Sequence, residues 1–374
     1  MRQAGIVRIS AAVVATLLVL TACGDGDGAP AETAVVEGSE PSSEAQQEDP
    51  LYVVVTTTIL GDIVKSLVGD DGQVEVLLPI GADPHDFQLS SQDGVKIREA
   101  DLVVANGLGL EESFMAVFES AREDGARILE VGDLSDPMEW GEGRGGHEWG
   151  EGRGGHDEEE GDHDEEEGDH DEEDGDHDEE EGDHDEEEGD HGHEGAFDPH
   201  FWFDPSRMEK AVRLIAAELI EIGKGLSATE WNERATNYIA QIQDAAAEAE
   251  ELLSAVSEDH RKLVTNHDSF SYFGAFFDFE ILDTILSGGS TLAQPGTAHL
   301  AELVDQIRAE GVTVIFTETT ADDGLPNTVA AEFDPPLQVV ELYTGSLGPP
   351  GSGADTYLKW LVTNARLIAE AITS

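Results

Sequence analysis

Leu51-Tyr52-Val53-Val54-Val55 is an unbroken β-branched and aromatic run, the pattern of a strand buried on both faces. Apolar residues from Ile59 to Leu67 then recur at helical spacing, and Val74 to Leu78 reads as a second strand. Ile97 to Ala100 belongs to a further helix and Leu102 to Ala105 to a strand; a helix through Glu111 to Ala121 and a strand at Arg127 to Val131 follow. Strand and helix taking turns predicts an α/β lobe built on a parallel sheet.

The alternation stops at a block of Gly, His, Asp and Glu between about Gly141 and Gly195, opened by two nine-residue copies, Trp140 to Glu148 and Trp149 to Asp157. So little of it is apolar that it cannot build a core, and it reads as a disordered surface loop. After it, Met208 to Ile222 is amphipathic helix. Ser227 and Glu230 then form a capping box before apolar positions from Trp231 to Val256 at helical spacing. This helix approaches thirty residues, roughly 40 Å at 1.5 Å per residue, longer than a globular domain usually needs. A strut joining two lobes explains the length, and a stiff strut implies small lobe movements on binding. The grammar then repeats: strand Lys262 to Thr265, helix Phe270 to Phe276, strand Glu280 to Leu286, helix Thr297 to Glu310, strands Val312 to Thr317 and Leu337 to Glu341, and a last helix from about Asp355 to Ile372. The fold class expected is α/β: two lobes with parallel sheets, joined by one long rigid helix, with a ligand cleft between them.

Charge and the N-terminus add compartment. The chain carries a net −64; residues 141–194 hold 29 acids and two arginines, a net of −27, which leaves −37 elsewhere. Such a surface repels nucleic acid and anionic lipid and gathers cations. Arg2 and Arg8 flank the start of an apolar run, Ile9 to Leu20, which is short for a membrane span and ends in Leu20-Thr21-Ala22-Cys23, like a bacterial lipobox. Cys23, the one cysteine, is the expected lipidation site, and no disulfide can form within the chain. The expected division is a signal peptide at 1–23, a flexible tether at 24–50, an N-terminal lobe at 51–226 interrupted by the loop at 141–195, a linking helix at 227–257 and a C-terminal lobe at 258–374. The mature chain is expected as an extracytoplasmic monomer, anchored to a membrane surface by lipid.

Two populations of histidine carry the chemistry. In the acidic block, Gly-Asp-His recurs every seven residues at His163, His170, His177, His184 and His191, with His193 close behind. Imidazole and carboxylate are ligands for borderline divalent metals such as zinc. A flexible chain loses entropy when it chelates, so these are weak sites. Three further histidines lie in the most ordered-looking loops: His85 in GADPHDF, His200 in DPHFWFDP and His267 in NHDSFSYF. Two of these loops follow strands, where α/β folds place ligands, and prolines before His85 and His200 stiffen their loops. Asp86 and Asp268 are either ring-orienting acids or exposed loop acids. Trp202 and Phe203 read as core lining, His260 as surface, and His299 as a solvated residue in a helix that Thr297 could cap. There is no Gly-rich phosphate loop, no HExxH and no nucleophile motif.

Together with FTETT (316–320) and LYTGSLG (342–348), the three histidine segments resemble the zinc-binding solute-binding lipoproteins of bacterial ABC metal importers, the zinc and manganese family, over about residues 51–374. The resemblance implies that His85, His200 and His267 hold the metal, that histidine at the third place favours zinc, and that partners are an ABC permease and its ATPase. The chain departs from the family at Gly345, where an aspartate usually completes the site. A water, Glu318 or a carboxylate of the acidic loop can fill that place, with water first and Glu318 read before that as an outer partner. Two other readings stay open. One is a zinc-dependent hydrolase or hydratase using an open fourth coordination position; the other is a surface metal buffer or adhesin that never hands metal on.

Overall fold

The structure, a computed structural model, describes residues 49–142 and 196–374. The signal peptide, Cys23, most of the tether and the loop histidines His163, His170, His177, His184, His191 and His193 lie outside the described residues.

The first lobe runs β1 (Leu51–Val55), α1 (Thr58–Val68), β2 (Gly72–Val76), α2 (Ser91–Glu99), β3 (Leu102–Ala105), α3 (Met115–Glu123) and β4 (Ile128–Glu130). Its four strands form one parallel sheet in the order β2-β1-β3-β4. Two helices follow: α4 (Pro205–Ile222), with Asp204 as its cap and Pro205 in its first turn, and α5 (Ala228–Leu253). The capping box of Ser227 and Glu230 is present at the start of α5, whose 26 residues span about 39 Å at 1.5 Å per residue. The second lobe contains β5 (Lys262–Thr265), α6 (Ser271–Phe277), β6 (Glu280–Thr284), α7 (Thr297–Glu310), β7 (Val314–Glu318), α8 (Gly324–Ala330) and β8 (Gln338–Leu342). Here β5 pairs with β6 and β7 with β8, both parallel, and β5 lies beside β7. The chain ends in α9 (Tyr357–Thr373), which packs along α5.

Strand sequence dictates how the layers pack. Successive side chains point to opposite faces, so Val53 and Val55 enter the central core while Val54 joins a separate cluster with Val103, Phe114 and Phe118. In the second lobe Leu263 and Phe316 face the central core, and Val264 and Ile315 face an outer cluster with Leu303 and Ile307. The central core is continuous from Val53 through Trp231 and Trp360 to Ile281 and Phe316, so apolar contact runs unbroken from one lobe to the other. Among the described residues, no helix is long and apolar enough to cross a membrane.

Three local expectations need correction. Helix α8 lies between β7 and β8, where the sequence pattern predicts none; its Gly324-Leu325-Pro326-Asn327 start has poor helix propensity, and the parallel β7–β8 connection supplies the reason for it. Strand β2 begins two residues early, at Gly72, and ends at Val76. The cap of α7 is Gly296, without a side-chain bond, and His299 is half-buried, its Nε2 2.7 Å from the carbonyl oxygen of Thr284. That ring satisfies the end of β6 rather than facing solvent.

Candidate metal centre

Carboxyl ends of strands from both lobes meet at one place. His85 sits in the loop after β2, His267 lies two residues beyond β5, Glu318 is the last residue of β7, and Thr344 follows β8 by two residues. His200 opens a short 3-10 turn, Phe201–Phe203, just before α4. The structure brings the three imidazoles together: His200 Nε2 is 3.2 Å from His85 Nε2 and 3.2 Å from His267 Nε2. One ring nitrogen from each lies within 4.8 Å of the other two. Zinc–nitrogen bonds of about 2.0–2.1 Å in a tetrahedron separate ligand nitrogens by about 3.3 Å, so the spacing suits one ion of that size.

Each histidine is held by an acid. In both Asp-Pro-His segments the aspartate oxygen accepts the backbone N–H of the histidine two residues on: Asp83 Oδ1 from His85 at 3.0 Å, and Asp198 Oδ1 from His200 at 2.9 Å. This is an Asx-type turn. Asp198 Oδ1 also accepts from the Nδ1 of His200, at 2.7 Å, which fixes the tautomer and leaves Nε2 as a lone-pair donor toward the cluster. His267 Nδ1 bonds Glu318 Oε1, and Glu318 Oε2 accepts from the Thr344 hydroxyl at 2.7 Å. Thr344 gives its carbonyl to the indole N–H of Trp202, whose ring centroid is 5.2 Å from that of His200. Glu318 is thus an outer partner of a ring, 2% exposed, and stands apart from the imidazole cluster. Asp86 is exposed and Asp268 buried, its carboxylate bonded to Ser271. The orienting role falls to Asp83, Asp198 and Glu318, and the doubled Asp-Pro-His spacing was the sequence signal for the first two. Trp202 and Phe203 are buried as expected; His260 is exposed.

Gly345 has a steric reason. A Cβ added there would lie 2.7 Å from Pro84 Cδ and 3.0 Å from Pro84 Cγ, so no side chain fits unless the proline beside His85 moves. Thr344 and Ser346 on either side are buried and bonded, the latter accepting from the Gly81 N–H at 2.8 Å.

Burial drives the His85 and His200 rings well below the ordinary histidine value, and the neighbouring rings push the same way. Burial also pulls His267 down, but the charge and hydrogen bond of Glu318 outweigh it and hold the ring above 6.5. Burial raises Glu318, yet His267 and the hydrogen bonds from it, Thr344 and Asn266 bring it down to about 2. At pH 6.5 two rings are therefore neutral and the third carries a proton that a metal must displace. Zinc binding at pH 6.5 should release about one proton, and affinity should fall about tenfold per pH unit below that. Calorimetry in buffers of different ionisation enthalpy reads the number; three protons, or none, would contradict the assignment. Glu318→Gln keeps the shape but weakens the pull on His267 Nδ1. It should lower zinc affinity about 10–100-fold, the usual cost of losing a ligand's orienting acid, as measured by competition with a chromogenic chelator.

Two α/β lobes on one long helix, with imidazoles gathered where the strand ends meet, define the class of two-lobed binding proteins. The chain belongs to the ZnuA family, the periplasmic component A of the zinc-uptake complex, whose family model matches residues 53–371. It is similar to the manganese-binding lipoprotein MntA of Halalkalibacterium halodurans, 23% identical over 327 residues that cover 87% of this chain and 90% of the relative. The high-affinity zinc uptake system protein ZnuA of Bacillus subtilis is 25% identical, over 89% of this chain and 87% of its own. The iron-binding protein YfeA of Yersinia pestis is 25% identical, over 90% of each chain. Among solved structures, the periplasmic zinc binding protein TroA from Treponema pallidum shares the fold, with a TM-score of 0.66 and 22% identity over 87% of this chain and 99% of its own. The protein is a metal-binding, extracytoplasmic substrate-binding component of an ABC importer.

Proposed function

We propose that this chain captures Zn²⁺ outside the cytoplasm and delivers it to an ABC permease driven by a cytoplasmic ATPase. His85, His200 and His267 supply the three protein ligands, Glu318 orients the third, and water completes the tetrahedron. One observation carries the metal choice: among the described residues the converging donors are three imidazole nitrogens, with no carboxylate in the cluster. Borderline zinc suits such nitrogen donors, whereas manganese prefers oxygen. The relatives' names divide between zinc, manganese and iron, and the donor set is what favours zinc. Pro84 packed on Gly345 supports the water, because it keeps a carboxylate-bearing side chain out of that place.

Around this site, residues 1–23 serve as a signal peptide with Cys23 lipidated, 24–50 as a tether, 51–226 and 258–374 as the lobes, and 227–257 as the linking helix. The chain acts as a monomer. His163, His170, His177, His184, His191 and His193 in the 141–195 segment act as weak collectors. The test is metal competition on the full chain and on a variant lacking residues 141–194. Zinc should stay bound against about a hundredfold excess of manganese. The deletion should lower stoichiometry while leaving one tight site within about tenfold of its affinity, since loop chelation is weak. Displacement by equimolar manganese, or loss of the tight site with the loop, would overturn the reading.

A further inference from the structure

One short turn between β6 and α7, residues 287–291, touches the neighbourhood of all three histidines. Beside His267, the N–H of Asp268 donates to the Gly288 carbonyl at 3.0 Å. Beside His85, the Thr291 hydroxyl donates to Asp83 Oδ2 at 2.6 Å, the same carboxylate whose other oxygen holds the His85 backbone. On the His200 side, the Trp140 indole lies against Gly289, where an added Cβ would collide with its benzo ring. That indole stands with its centroid 6.3 Å from the His200 ring, at 70° to it. His200 thus has an indole on two sides. Trp202 is the inner one, 3% exposed, and Trp140 the half-buried outer one. The stem that presents Trp140 is anchored: Glu139 bridges Phe197, Asp198 N–H donates to the Met138 carbonyl at 2.9 Å, and Met138 N–H donates to the Tyr272 hydroxyl at 2.8 Å. Gly289 is itself buried, so the seat under the indole is closed while the ring rests on it.

We propose that the 287–291 turn, latched by Trp140 on Gly289 and by Thr291 on Asp83, is the gate through which the metal enters and leaves. The inference rests on the metal-binding reading above and adds what sets its rate. Neither Trp140 nor Thr291 supplies a donor to the cluster. Loosening them therefore lowers the barrier in both directions and leaves the bound state as it was. Loop gates of this kind open on the microsecond-to-millisecond scale, and a glycine under the ring lets the indole sit flush without blocking the turn.

The test uses the full chain with Trp140→Ala, Gly289→Ala and the double variant. Zinc release into excess chelator is followed by stopped flow, affinity by competition at equilibrium, and coordination by the Co²⁺ absorption spectrum. Each single variant should speed release about tenfold, the effect of removing one modest contact from a barrier. The affinity should stay within about threefold and the Co²⁺ spectrum should match the parent. The double variant should release no faster than the faster single one, because both changes break the same contact, and Trp140→Phe should restore most of the slow release. Should Gly289→Ala fail to fold, Thr291→Val opens the other latch and should also speed release. Release within twofold of the parent in the folded variants, or acceleration fully matched by lost affinity, overturns the gate. A parent that holds no zinc overturns the metal-binding reading and the gate with it, whereas tight binding with unchanged rates overturns the gate alone.

Discussion

Replacing His200 with alanine is expected to weaken zinc binding by more than about 100-fold, beyond the usual cost of losing an outer partner. His200 is the common neighbour in the cluster: its Nε2 lies 3.2 Å from each of the other two ring nitrogens, which its removal leaves as a split pair. Its ring is also preset by Asp198 through both the backbone and Nδ1. His85→Ala should cost less, because that ring is half-buried and its backbone, not its Nδ1, is what Asp83 holds. Direct titration against a chelator of known affinity checks the order. Equal, small losses for His85 and His200 would show that the cluster does not act as one site.

Trp360→Ala is expected to destabilise the protein by about 3–5 kcal/mol, the range for deleting a large buried aromatic. The ring is fully buried in α9 and sits 4.9 Å from Phe203 and 5.9 Å from Tyr357, centroid to centroid. Tyr357 in turn donates its hydroxyl to the Trp202 carbonyl at 3.1 Å. The cavity would therefore open beneath the 3-10 turn that carries His200, and stability and metal affinity should fall together. Urea unfolding should show a lower midpoint with an unchanged slope. A loss below about 1 kcal/mol would mean that the core relaxes to fill the space.

The site was more legible than the details that support it. His85, His200 and His267 stood out because histidines in aromatic loops, two of them stiffened by proline, are rare against a charge-rich background. Glu318 was named only as a candidate for the place that Gly345 leaves open, or as an outer partner. Asp83 and Asp198 were passed over because an acid two residues before a histidine makes its bond through a turn, and hydrophobic periodicity carries no record of turns. Of the acids that directly follow a histidine, Asp86 is exposed and Asp268 buried. Trp140 read as part of a low-complexity duplication, and its seat on Gly289 joins residues 149 positions apart, a contact that local pattern cannot show. In the fold, elements with strong periodicity were recovered within a few residues, including α5 with its capping box. Helix α8, seven residues with Gly324 and Pro326, was lost because tertiary connection rather than propensity makes it helical.

Zinc added at one equivalent to crystals of the protein, located by anomalous scattering at the zinc edge, tests the central claim most directly. A single strong peak is expected about 2.0–2.1 Å from the Nε2 atoms of His85, His200 and His267, with Glu318 still bonded to His267. A peak elsewhere with that trio vacant would contradict it.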